Sequence, residues 1–272
     1  MKLGTLVKPL LITGLFLAGP VMAAPSAQQV LAASPIDDIV DRYPAMMSEG
    51  IREGLKRSQQ LPPMVADTIG YVVTNSVRAA DIEQQIVKNL ESDLSGKQLE
   101  AVQNWYETPV ARKISAAEIA ASDPAAWQQI QARAPELNKK YKGTDRAQMF
   151  ERFDRAARAT ESAVDTTIAV QLGLATAMAA FRSDSENYDG LKQNIENQRG
   201  KIRGVVEQQV YDSYLHTYEK ISSQEMGLYI DFLESDAGSA FSKTVTRSIQ
   251  QAITDPIESI GKQMARFLSP QK

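Results

Sequence analysis

Apolar residues recur at spacings of three and four through most of the chain, and that spacing predicts helices. Ile36, Ile39, Val40, Tyr43, Met46, Met47, Ile51 and Leu55 mark a helix from Pro35 to about Ser58, with Pro44 expected to kink or briefly break it. Further helices are predicted over Pro63 to Val77 and Asp81 to Leu90. Asp123-Pro124 starts a short one carrying Trp127 and Ile130, which Pro135 is expected to end. Thr144 to Phe181 reads as one long helix of roughly 57 Å at about 1.5 Å per residue. Its stripe runs Met149, Phe153, Ala156, Thr160, Ala163, Thr167, Val170, Leu174, Ala177, Phe181. Ile168 to Phe181 is apolar on nearly every side and is expected to be the most buried stretch. After a turn at Ser183 to Asn187, a stripe from Leu191 to Ile221 and another from Phe241 to Met264 predict two more helices, the last kinked near Pro256. No segment longer than four residues alternates as a strand does. The fold class is therefore expected to be all-α.

Within this pattern one design occurs twice, at Leu94 to Ser115 and at Ile221 to Ser242. Ser95 with Gln98, and Ser222 with Glu225, have the spacing of a capping box: the serine oxygen accepts a first-turn N–H, and the Gln or Glu reaches back to the cap's own N–H. Leu94 with Leu99, and Ile221 with Met226, have the spacing of a hydrophobic staple. Each helix then meets a second start signal, Thr108-Pro109 or Ser235-Asp236. The expectation is a helix, a sharp corner and another helix, with Trp105 and Tyr106, and their counterparts Phe232 and Leu233, filling the corner's inside. The whole chain is expected to be a multi-helix bundle of two such pseudo-repeats around the long helix.

These phrases, NWYETPVARK and DFLESDAGSAF, resemble the DUF2059 family of exported bacterial proteins, whose signature joins an aromatic-rich turn to a phrase like F-Y-x-S-P-x-G-x-K. Ala111 stands where the first copy should have glycine, while Gly238 keeps it in the second; Leu233 and Asp236 replace the tyrosine and proline there. The resemblance implies a fold and an exported address, and no activity.

The first 23 residues support that address. A basic start (Lys2, Lys8), an apolar run from Pro9 to Gly19 and small residues around Ala23 read as a signal peptide cut after Ala23. The run is too short to span a membrane. Ala24 to Ser34 is expected to be a flexible leader. Two helical halves, 35–143 and 144–272, are expected to meet near Gly143, at the end of the linker-like stretch Pro135 to Gly143. Removing Lys2 and Lys8 leaves 28 basic against 33 acidic residues, so the formal charge moves from −3 to −5. That balance excludes a nucleic-acid partner, and the absence of cysteine excludes disulfides and thiolate chemistry.

His216 is the single histidine, and Asp212 and Glu219 lie near it on one helix face. They make half a metal site or a tuned acid–base group at most. A solvated polar face is the plainer account, because the shell cannot close without ligands from elsewhere. Of the carboxylates in or beside the repeats (Glu100, Glu107, Glu118, Glu225, Glu234), Glu107 and Glu234 match between copies and are the best pair for glycoside hydrolysis. Each also sits just before a helix start, where an acid is favoured anyway. Trp127 and Tyr141 are further aromatic candidates for a binding surface. Lys139, Lys140, Lys142 and Arg146 form a basic cluster, either a docking patch or a solvated linker. Phosphate loops, a G-x-S-x-G elbow and H-E-x-x-H are absent. The expectation is a monomeric, exported helical interaction or scaffold module with a protein partner, no cofactor and no catalysis. The alternatives are a cell-envelope polymer hydrolase and a carrier of an apolar ligand.

Overall fold

The computed structural model describes residues 24–58, 64, 67, 71, 75–181 and 188–268. The expected signal peptide, and most of the helix expected over Pro63 to Val77, lie outside them. The described residues form twelve helices and no strand, so the chain is an all-α multi-helix bundle.

The expected leader is instead helical. Ser26 and Gln29 make a third capping box, starting α1 (Ala27–Ala33), and Val30 and Leu31 on its inner face are fully buried. A short amphipathic turn with a good cap and two core side chains is held by burial, not by propensity. Helix α2 (Ile36–Ser58) keeps Pro44 inside it. Ile82, Ile86 and Leu90, spaced one turn apart, form the fully buried stripe of α3 (Ala79–Asp93). Next come α4 (Gly96–Tyr106), α5 (Pro109–Ala121) and α6 (Pro124–Tyr141).

Pro135 does not end its helix. It lies within α6, whose Leu137 is fully buried, so packing beyond the proline outweighs its missing hydrogen bond. The linker-like stretch is thus helical up to Tyr141, and Gly143 takes the turn with φ 73°.

The long helix expected over Thr144 to Phe181 is two helices, α7 (Asp145–Ala157) and α8 (Ala159–Phe181). Arg158 separates them in the left-handed region, at φ 55° and ψ 32°. The Asp154 carboxylate accepts the Thr160 N–H at 2.7 Å, which satisfies a donor the break exposes. The two pieces then pack differently: α7 against α11 (Ser223–Glu234), and α8 along α12 (Asp236–Leu268). The chain between them supplies α9 (Tyr188–Glu196) and α10 (Arg199–Thr217).

Helix α12 lies along both α8 and α3 and carries the most extensive packing, while α10 packs against α6 and α8. The larger of two apolar clusters runs from Ala27 to Ile253 and includes residues on both sides of Gly143, and the smaller joins Val164 and Ile168 to Val206. Through the larger passes a chain of rings. Phe150 meets Tyr211 and Tyr214, Phe153 meets Tyr218 and Tyr229, and Trp105 stacks on Tyr229 and Phe232. No helix among the described residues is long and apolar enough to cross a membrane.

Candidate functional site

Both predicted helix starts are present. Ser95 and Gln98 form a full capping box, as do Ser222 and Glu225. The second caps are present too: Thr108 Oγ1 accepts the Ala111 N–H, and Ser235 Oγ the Gly238 N–H, each at 3.1 Å, with Pro109 in the first turn of α5. Tyr106, Phe232 and Leu233 are buried and Trp105 half-buried, so these side chains fill the corners. At Gly238 a Cβ would lie 2.0 Å from the Phe232 carbonyl oxygen. Ala111 carries a Cβ at the matching position of the first corner, so the second corner is the tighter one.

The histidine group resolves into helix ties. Asp212 accepts from Asn138 Nδ2 at 2.7 Å and from Gln208 Nε2 at 2.8 Å. Glu219 accepts from Arg133 at 2.7 Å and Lys140 at 2.9 Å, and these cations hold its carboxyl down at about pKa 2. His216 is half-buried, its Nδ1 has no partner, and burial and Arg133 lower its pKa. No group of three ligating side chains that could hold a metal ion occurs among the described residues. These contacts fasten α10 to α6.

The other carboxylates take separate partners. Glu107 accepts from Gln103 on its own helix, at 3.1 Å. Glu234 is held by Arg152 of α7 at 2.5 and 3.1 Å. Glu225 receives Lys113 Nζ at 2.8 Å on both oxygens, which ties α11 to α5. Glu100 is exposed. The basic cluster is likewise divided: Lys140 goes to Glu219, and Arg146, expected on a surface or linker, is 7% exposed. Its guanidinium donates to the carbonyls of Tyr218, at 3.1 Å, and Ile221. Tyr218 caps α10 and Ile221 lies in the turn before α11, so this cation satisfies one carbonyl that the helix leaves free and one of the turn, and complements the helix dipole.

Glu118 received no role of its own from sequence, yet it is the carboxylate most enclosed by other groups. It is half-buried on the inner face of α5, one turn beyond the buried Ile114. Its Oε1 accepts two phenols, Tyr218 Oη at 2.6 Å from the end of α10 and Tyr229 Oη at 2.8 Å from α11. Burial raises its pKa, and the two hydrogen bonds oppose that rise. A cavity of about 300 Å³ lies beside it, walled by Phe153, Val210, Tyr214 and Tyr218. The signal in the sequence was phase: Ala111, Ile114 and Glu118 fall on one helix face, so an acid stands where the stripe calls for an apolar residue.

A larger groove, about 820 Å³, opens between α2, α6 and α8. Met47, Ile51 and Leu55 form its floor, Val170 and Leu174 a wall, and Trp127 stands at the rim. Trp127 is 44% exposed, and its ring lies where a Cβ on Gly50 would touch it at 3.6 Å. Within the stretch expected to be most buried, Ile168 and Leu172 are buried, while Val170 and Leu174 are half-buried and line the groove.

Residues 80–140 match the family model described as "Uncharacterized protein conserved in bacteria (DUF2059)". The matched span runs from α3 into α6 and so holds the first corner, Glu118 and Trp127. No curated protein and no solved structure matches the chain.

Proposed function

We propose that this chain is an exported, non-catalytic helical interaction module, and that it docks an amphipathic helix of a partner protein in the groove between α2, α6 and α8. The observation that carries this reading is the groove itself. Met47, Ile51 and Leu55, all buried, repeat every fourth residue on α2 and form the groove's floor, and the half-buried Val170 and Leu174 have the same spacing on α8. Two helical ridges with apolar residues in register leave a lane suited to a third helix, whose anchors would recur at the same spacing. Methionines on such a wall adapt to different side chains, and a half-exposed tryptophan at the rim is a common hot-spot residue.

Export is supported by the charge and hydropathy pattern of the first 23 residues. The matched caps of the two corners support their reading as copies of one unit. Hydrolysis would need two carboxylates facing across a cleft. Glu118 is the one carboxylate lining its cavity, and Glu107 and Glu234 take separate partners.

The test is capture from periplasmic extract on the immobilised mature protein, comparing wild type with Trp127→Ser. The reading expects a retained species that is lost on substitution while the helical circular dichroism is unchanged. An identical retained set for both proteins would overturn it.

A further inference from the structure

The cavity beside Glu118 is separate from the groove, and its chemistry points to a ligand of its own. Glu118 Oε1 is taken by Tyr218 and Tyr229, at 2.6 and 2.8 Å, while Oε2 has no donor among the described residues. Phe153, Tyr214 and Tyr218 supply aromatic wall, and Ser213 and Thr217 supply hydroxyls. No basic side chain lines the cavity. Arg42 reaches the end of α5, but there it donates to the Ile119 carbonyl oxygen at 2.6 Å and to Ser122 Oγ at 3.4 Å.

We propose that this cavity binds a small organic ammonium ion, with Glu118 as its counter-ion and the rings of Phe153, Tyr214 and Tyr218 as its wall.

The argument is one of unmet demand. A carboxylate half-withdrawn from water without a cation is destabilised, and two phenol donors offset only part of that cost. Elsewhere two carboxylates of similar exposure take cations: Glu219 pairs with Arg133 and Lys140, and Glu161 with Arg199 and Arg203. Glu118 has only neutral donors and an open space. Aromatic rings attract a cation through their quadrupole, most strongly where water is excluded. A metal ion is the wrong cation, because calcium takes six to eight oxygen ligands and the lining offers one carboxylate and three hydroxyls from Ser122, Ser213 and Thr217 besides the phenols. At about 300 Å³ the space is at the lower end for ligand pockets, which sets the ligand's size at that of choline or a short amine.

The test is calorimetric titration of the mature protein with choline, with its uncharged isostere 3,3-dimethylbutanol, and with phosphocholine. Choline is expected to bind saturably in the millimolar range and at least about tenfold more tightly than the isostere. Glu118→Gln keeps an oxygen for both phenols and removes the charge; it is expected to lower choline affinity about tenfold with the melting temperature maintained. Phe153→Leu should weaken choline and leave the isostere unaffected. Choline binding without phosphocholine binding identifies a free ammonium ligand, and equal binding of both identifies a lipid-type headgroup. Equal affinity for choline and the isostere, no saturable choline binding, or full binding by Glu118→Gln would each overturn the proposal.

Discussion

Trp105 lies flat against Phe232, ring centroids 4.7 Å apart and planes 8° from parallel. The two residues occupy matching positions in the two corners, so one corner closes on the other. The stacked pair joins α4 to α11 across the core, and Tyr229 extends the stack at 6.2 Å from Trp105. Trp105→Ala is expected to cost about 3 kcal/mol in urea unfolding. A double-mutant cycle with Phe232→Ala should return a coupling of about 1 kcal/mol. Additive effects would show that the stacking is incidental. Trp105→Phe should cost less, because the indole N–H has no partner to lose.

Gly238→Ala tests the tight corner. Helix propensity alone would make this change stabilising by about 1 kcal/mol. The Phe232 carbonyl oxygen, 2.0 Å from the new Cβ, reverses the sign, because backbone atoms cannot swing aside. A loss of about 2 kcal/mol or more is expected in chemical unfolding. A gain would mean that the corner opens freely.

The pH dependence of Glu118 follows from its raised pKa. A carboxyl that holds its proton more tightly when folded favours the folded state at low pH, and that advantage is lost as pH rises from the ordinary carboxylate range through the raised value. Glu118→Gln resembles the protonated form at every pH. The stability difference between variant and wild type is therefore expected to be small near pH 4 and to move in the variant's favour by pH 8. Parallel stability curves across that range would contradict the assignment.

Glu219 has the opposite sign. Arg133 and Lys140 hold it down at about pKa 2, so its contribution is present above the ordinary carboxylate value and fades as pH falls toward 2. Both partners are substantially exposed, which limits the effect of Glu219→Gln at neutral pH to about 1 kcal/mol. The acid limb of the unfolding curve should flatten in that variant.

The local signals in the sequence were its most informative. Ser95, Thr108, Ser222 and Ser235 all cap as their neighbours predict, because capping is decided within one helical turn. The break at Arg158 had no such signal: arginine is a common helix residue, and the left-handed turn there is set by the separate packing of α7 and α8. Pro135 was misleading for the converse reason, since α6 continues through it on tertiary contacts. Asp212 and Glu219 stood beside His216, and Arg146 beside Lys139 to Lys142, but their partners come from distant elements. Asn138, Arg133 and the carbonyls at the end of α10 cannot be paired with them from one sequence. Glu118 was detectable as an acid in phase with an apolar stripe, although nothing in sequence joined it to Tyr218 and Tyr229.

The interaction reading is tested most directly by a photo-crosslinking amino acid placed at Trp127 and at Met46, which also lines the groove, with exposed Glu100 as the control, in the protein expressed in bacterial cells. The groove positions are predicted to give one discrete adduct whose crosslinked peptide carries apolar residues at helical spacing, and the control position is predicted to give none. Adducts of equal yield at all three positions, or none from the groove, would contradict the account.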